Sequence, residues 1–334
     1  MNVILIQPPD PPQPVRSIED FANTSVRFYP PWNLLCLRSY ILEHTRHSCY
    51  FIDGRLQADL EKDFVGAIAR IPDPKVAVIN TCSPGLGQTA AVLDSLKRHF
   101  PSIITVLCGQ HPSQYPGHCT EIPRVDYALA GDPEPILRNL LDYMGIEQRL
   151  RRVPGLCIAN RKDPYIDEQS GSMIFESNRN VRPYWLHEIT SLSLPDWEGV
   201  FWPSYQMNPQ TGACRAEVRI SRGQSRDPCD RAHGEYHEPL RFWPLERMAA
   251  NMGKGAHLGI TEVLLTDPPG IWTPDRLDHW CMLLEEANNT QSWGLQLLPT
   301  LLYENTVSLM KATECRRVEL ILPILPQGRI HLRP

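Results

Sequence analysis

Residues Glu217–Arg231 read EVRISRGQSRDPCDR, and the interpretation of the whole chain depends on this stretch. Its first five residues alternate polar and apolar side chains, which predicts a β-strand. Arg222-Gly223 follows, and a glycine directly after a strand is typical of a tight loop with exposed backbone. The loop contains one cysteine, Cys229. We therefore expect a strand that ends in a loop suited to a functional site.

Length favours two domains, and the lack of a predicted signal peptide or membrane span favours a cytoplasmic protein. The chain has 334 residues, enough for two domains that each bury a core. Its net charge is −5, and Arg149–Arg152 is its densest basic run, so we expect no nucleic-acid partner. The apolar stretch at the start is too short for a signal peptide, and no other stretch reaches the length of a membrane span.

Cysteine and histidine spacing predicts no metal site. The ten cysteines are scattered singly, without a C-x2-C pair, so a disulfide framework or structural zinc site is not expected. His233 and His237 lie four residues apart, a spacing that could bind a metal on a helix. Gly234 and Pro239 favour a loop there instead.

The first 150 residues alternate short apolar runs with segments of helical periodicity, which predicts a doubly wound parallel sheet. A flavodoxin-like strand order, 2-1-3-4-5, would place a ligand crevice at the carboxyl ends of the strands. The predicted strands are Val3–Gln7, Cys49–Ile52, Val76–Asn80, Ile104–Cys108 and Tyr127–Ala130. The predicted helices are Leu34–His44, Leu60–Ile71, Thr89–His99 and Pro135–Tyr143.

Three loops after these strands carry polar residues and glycines. They read Thr81-Cys82-Ser83-Pro84, Gly109-Gln110-His111-Pro112-Ser113 and Gly131-Asp132-Pro133-Glu134. In order and spacing, together with the Ser-Arg-Gly strand end, they resemble the B12-binding-domain radical S-adenosylmethionine proteins. The resemblance implies a cobalamin whose nucleotide tail and lower corrin face these loops enclose. It assigns cofactor binding to Thr81, Ser83, Gly109, Gln110, His111, Pro112, Ser113, Gly131, Asp132 and Glu134.

This domain departs from the family's pattern at two places. Gln110 replaces the family's usual second glycine, which affects how closely that loop can approach the cofactor. The D-x-H-x-x-G motif that supplies a cobalt-binding histidine in methionine-synthase-type domains is absent after the first strand. We therefore expect no lower histidine ligand from that loop, and we interpret His111 as a hydrogen-bonding or packing residue.

The resemblance extends into residues 217–334, where the family's iron–sulfur ligands are missing. The family's C-x3-C-x2-C positions correspond here to Gln224, Pro228 and Arg231. The neighbouring Cys229 alone cannot hold a cluster, because several Fe–S bonds are needed. Leu309–Val318 resembles the family's LMK-x-AGCRRV passage. The family's next motif, Gly-x-Glu-Ser-Gly, is replaced by Leu322–Gly328. We expect neither a [4Fe–4S] cluster nor bound S-adenosylmethionine.

The predicted fold is α/β: a flavodoxin-like (Rossmann-like) cobalamin-binding domain over 1–150, a hairpin and linker over 151–216, and a truncated radical-SAM-like (βα) half barrel over 217–334. In the hairpin, Val153–Ala159 would pair with Ser172–Glu176. The second domain has about four of the six strand–helix units of a full barrel, so we expect a protein partner or a homodimer to cover its open edge.

Three functions fit these observations. The first is a non-catalytic cobalamin-binding carrier, sensor or accessory subunit. The second is a cobalamin-dependent methyltransferase-type enzyme without a cluster, in which Asp267, Glu262, His233 or His237 could serve as acids or bases. The third is a structural pairing subunit with a decayed cofactor pocket.

Overall fold

The computed structural model describes residues 1–10, 29–57, 60–159, 165–166, 173–174, 181–200, 202, 205, 214–223 and 238–321. The chain divides into two compact units. The first unit comprises Met1–Arg27 and Asn33–Leu186, and the second comprises Phe28–Trp32 and His187–Pro334. The three-segment division predicted from the sequence stays a prediction.

The first unit contains a six-stranded sheet in the order β2-β1-β3-β4-β5-β6. Strands β1 to β5 are parallel, and β6 is antiparallel to β5. The flavodoxin-like order 2-1-3-4-5 predicted from the sequence is therefore confirmed. The strands are β1 Asn2–Gln7, β2 Ser48–Asp53, β3 Lys75–Asn80, β4 Ile104–Cys108, β5 Tyr127–Leu129 and β6 Leu156–Ile158.

The helices of the first unit follow the strands in sequence. Continuous apolar strands such as Val3–Ile6 are fully buried, as expected of a parallel sheet with both faces covered. The helices are α1 Trp32–His44, α2 Val65–Ala69, α3 Leu86–His99, α4 Gln110–Gln114, α5 Pro116–Cys119, α6 Pro133–Tyr143 and α7 Glu147–Leu150. The helical segment predicted over Leu60–Ile71 is present as a π-helical turn, Leu60–Phe64, that continues directly into α2.

For the residues that the structure describes, the predicted pairing of Val153–Ala159 with Ser172–Glu176 was wrong. Leu156–Ile158 instead pairs with β5, where all three side chains are buried. Three consecutive apolar residues suit a strand covered on both faces better than a hairpin with one solvated face. A separate short hairpin joins β7 Tyr165–Ile166 to β8 Met173–Ile174.

The second unit contains a four-stranded parallel sheet in the order β14-β13-β12-β9. Strands and helices alternate along the chain, which gives the partial (βα) barrel predicted from the sequence. The strands are β9 Arg215–Val218, β12 Glu262–Leu265, β13 Ser292–Leu297 and β14 Cys315–Leu320. The helices are α8 Leu245–His257, α9 Pro274–Glu286 and α10 Glu304–Ala312.

The Ser-Arg-Gly stretch is not part of this four-stranded sheet. Strand β9 stops at Val218, and Ser221–Arg222 forms a short strand, β10, paired antiparallel with β11 Arg241–Phe242. Gly223 has φ +101°, and a Cβ there would lie 2.2 Å from the carbonyl oxygen of Pro239. Glycine is therefore required where the chain turns into the loop.

None of the helices that the structure describes has the length and apolar character needed to span a bilayer.

Candidate functional site

The carboxyl edge of the first unit's sheet brings together the polar loops singled out in the sequence. Parallel strands end at the same edge, so residues that follow different strands become neighbours. At the ends of β1 and β3, the Asn80 side-chain amide donates to Gln7 Oε1 over 2.8 Å. Neither residue was among the predicted site residues.

Thr81 is held inside the protein. Its backbone N–H donates to the carbonyl of Cys108 over 2.7 Å, and its hydroxyl donates to the carbonyl of Ile79 over 3.2 Å. The side chain is almost fully buried. Thr81 therefore positions the loop after β3 against the end of β4.

Ser83, His111 and His118 form a continuous hydrogen-bonded chain. Ser83 Oγ lies 2.9 Å from His111 Nδ1, and His111 Nε2 lies 2.9 Å from His118 Nδ1. Burial, and secondarily the nearby charge of His118, lowers the pKa of His111 below its ordinary value. Both ring nitrogens of His111 are thus occupied, as expected for a hydrogen-bonding residue.

Ser113 connects the loops after β4 and β5. Its hydroxyl donates to the carbonyl of Gly109 over 2.9 Å and accepts from the backbone N–H of Gly131 over 3.0 Å. The hydroxyl is buried and uses both its donor and one acceptor site within the protein.

The two site glycines are required by contacts within the protein. Gly109 has φ +103°, and a Cβ there would lie 2.4 Å from Asn80 Oδ1. Gly131 has φ +109°, and its Cβ would lie 2.0 Å from the carbonyl oxygen of Tyr184. The positive φ and the adjacent chain exclude larger residues at both positions. This requirement holds with or without a ligand at the loops.

The remaining predicted residues divide between buried and exposed positions. Asp132 is buried and accepts from the backbone N–H of Leu186 over 2.8 Å, and Pro112 and Glu134 are buried as well. Ser83 and Gln110 are exposed. Of the ten residues, these two therefore present side chains most openly to a ligand.

Gln114, at the end of α4, is another residue near these loops that was not predicted from the sequence. Its amide nitrogen is buried and has no hydrogen-bond partner among the residues that the structure describes. His118 was missed because its contact depends on the turn at Tyr115 between α4 and α5. Its separation of seven residues from His111 was the only available signal.

In the second unit, Asp267 anchors the Ser-Arg-Gly stretch. Its carboxylate accepts from the backbone N–H groups of Ile220 and Ser221, each over 2.8 Å, and from Ser221 Oγ over 2.6 Å. Burial raises the pKa of Asp267 to about 6, and the three hydrogen bonds oppose that shift. The predicted general acid or base is thus engaged in holding the junction together.

The other predicted chemical groups of this unit are paired or lie outside the described residues. Glu262 forms an ion pair with Arg215 on the neighbouring strand. The cluster positions Gln224, Pro228 and Arg231, and the histidines His233 and His237, lie outside the described residues. Within the described part of the chain, no group of three or more His, Cys, Asp or Glu side chains is arranged to bind a metal ion.

No family model and no curated protein matches this chain. Among solved structures, the cobalamin-dependent S-adenosylmethionine radical enzyme OxsB, with aqua-cobalamin and S-adenosylmethionine bound, is 16% identical with a TM-score of 0.62. The alignment covers 96% of this chain and 43% of OxsB. This chain has the fold of cobalamin-dependent radical enzymes.

A second protein gives the same result. The radical S-adenosylmethionine methyltransferase TsrM from Kitasatospora setae, with tryptophan substrate and an S-adenosylmethionine analog bound, is 15% identical with a TM-score of 0.65, over 99% of this chain and 62% of TsrM. A structure of TsrM with cobalamin and a [4Fe-4S] cluster bound has a TM-score of 0.63 at 14% identity. The chain thus spans less than two thirds of the length of either protein.

Proposed function

We propose that this chain binds cobalamin at the carboxyl edge of the first unit's sheet and acts as a carrier, sensor or accessory subunit, without a [4Fe–4S] cluster or S-adenosylmethionine. The observation that supports cobalamin best is the fold, which this chain shares with OxsB, a protein whose structure holds aqua-cobalamin. Its motif-bearing loops lie at the edge of the sheet where ligands of doubly wound folds bind.

The side chains at this edge suit an uncharged ligand rich in carboxamides, as the corrin periphery is. Ser83 and Gln110 offer exposed neutral donors and acceptors.

His111 does not fit the role of a cobalt ligand. Its two ring nitrogens already contact Ser83 and His118. This arrangement supports the interpretation of His111 as a hydrogen-bonding residue. A bound corrinoid would supply the group-transfer chemistry, and these residues would hold and orient it.

The proposed absence of the cluster rests on the sequence. Glutamine, proline and arginine occupy the three ligand positions, and none provides a thiolate. The methyltransferase alternative loses two of its candidate acids and bases, because Asp267 and Glu262 are engaged in internal contacts. A protein partner or second copy at the edge of β14 stays a prediction.

Metal analysis of anaerobically purified protein tests the proposal. The protein is incubated with hydroxocobalamin or with iron and sulfide, then desalted. We expect retained corrinoid absorption with stoichiometric cobalt, and no iron–sulfur absorption. Bound iron and sulfide with reductive cleavage of S-adenosylmethionine would contradict the proposed loss of the cluster. Retention of neither metal would contradict cobalamin binding.

Two substitutions test the location of the binding site. Ser83→Ala and Gln110→Ala should each weaken cobalamin binding about 3- to 10-fold, the effect of one lost hydrogen bond. Ser102→Ala is the matched control, because Ser102 is exposed in the turn that precedes β4, at the amino edge of the same sheet. Equal affinities in all three variants would place the cofactor elsewhere.

A further inference from the structure

A basic groove lies in the first unit, beside the end of β5. Its volume is about 370 Å³, and three arginines line it, Arg151, Arg152 and Arg182. None of the ten residues predicted to bind cobalamin lines this groove. We refer to it below as the basic groove.

The two chain segments that form the basic groove are both fastened to the end of β5. Ala130 donates its backbone N–H to the carbonyl of Gly155 over 2.8 Å, and Tyr184 donates to the carbonyl of Ala130 over 2.9 Å. Gly155 has φ +76°, and a Cβ there would lie 2.5 Å from the Ala130 carbonyl oxygen. Backbone hydrogen bonds to Ala130 therefore fix the positions of both segments that line the groove.

The charge of the basic groove is unbalanced. Arg151 is paired with Glu147 over 3.1 Å. Arg152 and Arg182 are exposed, and neither has a carboxylate partner in the part of the chain that the structure describes. None of the described residues that line the groove is a carboxylate, although the whole chain carries a net charge of −5. Among the described residues, Arg152 and Arg182 thus contribute two positive charges to the groove without a paired carboxylate.

We propose that the basic groove binds a small phosphate monoester. A phosphate monoester carries close to two negative charges at neutral pH, which matches the two guanidinium groups of Arg152 and Arg182. Guanidinium groups bind phosphate oxygens through paired N–H donors. The volume lies at the lower end of the range for small-molecule sites, and Pro154, Val181 and Pro183 add apolar lining for an organic group beside the phosphate.

Calorimetric titration of the full-length protein tests this site. The probes are phenyl phosphate and inorganic phosphate, with phenol as the uncharged control. We expect saturable binding of one phenyl phosphate per chain, weaker binding of inorganic phosphate and no binding of phenol. Arg152→Gln and Arg182→Gln should each weaken phenyl phosphate binding by about tenfold or more, the effect of losing a charge-assisted hydrogen bond.

Arg70→Gln is the matched control, because Arg70 is an exposed arginine of the same unit that does not line the groove. It should leave the affinity unchanged. An equal loss in Arg70→Gln would indicate nonspecific attraction and overturn the proposal, as would the absence of saturable binding. Competition between hydroxocobalamin and phenyl phosphate would assign the groove to the corrinoid and also overturn it. Corrinoid binding without competition supports a separate site.

Discussion

At the scale of single residues, polar groups that were predicted from the sequence to bind a cofactor or act as acids and bases instead hold loops in place. Asp267 and His111 are examples, since their acceptor and donor atoms face other parts of the same unit. The sequence predicted where these residues lie, at the ends of strands. It could not predict their contacts, because these depend on how the following loop folds back.

Asp267 should make the stability of the second unit depend on pH. Burial raises its pKa to about 6 from an ordinary value of 3.8, so the native state binds this proton more tightly than the unfolded state. The stabilisation of the native state by the bound proton of Asp267 is therefore complete below about pH 4. It is lost as the pH rises through 6. Relative to Asp267→Asn, the wild type should lose up to about 3 kcal/mol over that interval.

Urea denaturation followed by tryptophan fluorescence measures this difference, because seven of the eight tryptophans belong to the second unit. Asp275→Asn, at an exposed position in the first turn of α9, is the control and should keep the wild-type pH dependence. If Asp267→Asn and the wild type showed the same change between pH 4 and 6, the assignment to Asp267 would be wrong.

Gly131 should tolerate alanine much less well than Gly145. Both have positive φ, so alanine strains the backbone by roughly 1–2 kcal/mol at each. At Gly131 a Cβ would also overlap the Tyr184 carbonyl, whereas nothing lies within 4 Å at Gly145. Urea denaturation followed by far-UV circular dichroism should show the larger loss for Gly131→Ala. Equal losses would mean that Tyr184 moves aside without cost.

At the scale of elements, apolar runs predicted the central parallel strands of the first unit well, because β1, β3, β4 and β5 are buried on both faces. Ile104–Cys108, for example, has the predicted bounds. The antiparallel addition of β6 was not predictable from periodicity, since a run of three apolar residues does not specify its partner. Between His187 and Val200, hydrogen bonds that involve side chains join the chain to α8.

One such contact joins Trp197 to α8. The indole N–H of Trp197 donates to Asn251 Oδ1 over 2.9 Å, and both residues are buried. Asn251→Leu keeps the approximate shape but leaves the indole N–H without an acceptor, which should cost about 1–3 kcal/mol in urea denaturation. Lys254→Ala, exposed on the same helix, should have little effect.

A double-mutant cycle isolates the Trp197–Asn251 hydrogen bond. Trp197→Phe removes the donor, so adding Asn251→Leu to it should cost less than Asn251→Leu costs alone. The other tryptophans of the second unit still report unfolding in this background. Strictly additive losses would show that the contact contributes no hydrogen-bond energy.

At the scale of the whole molecule, the order of loop motifs predicted a fold that pairwise identity alone would not reveal. OxsB and TsrM are only 15–16% identical to this chain. The motifs remain recognisable because they lie where strands end, and the fold requires particular backbone conformations there, as at Gly109 and Gly131. The basic groove had no such signal, since its arginines come from two segments that are far apart in sequence and that both form hydrogen bonds with Ala130, directly after β5.

Cobalamin should protect the two edges of the first unit's sheet unequally. A ligand that binds only the native state stabilises it by mass action, by about 2.7 kcal/mol at 100 times the dissociation constant. Local protection is greatest where the ligand restricts opening of the chain. Hydrogen exchange with hydroxocobalamin should therefore slow most at Thr81–Thr89 and Gly109–Tyr115. The turn at Ser102, at the amino edge, should change least, and equal protection at both edges would contradict binding at the carboxyl edge.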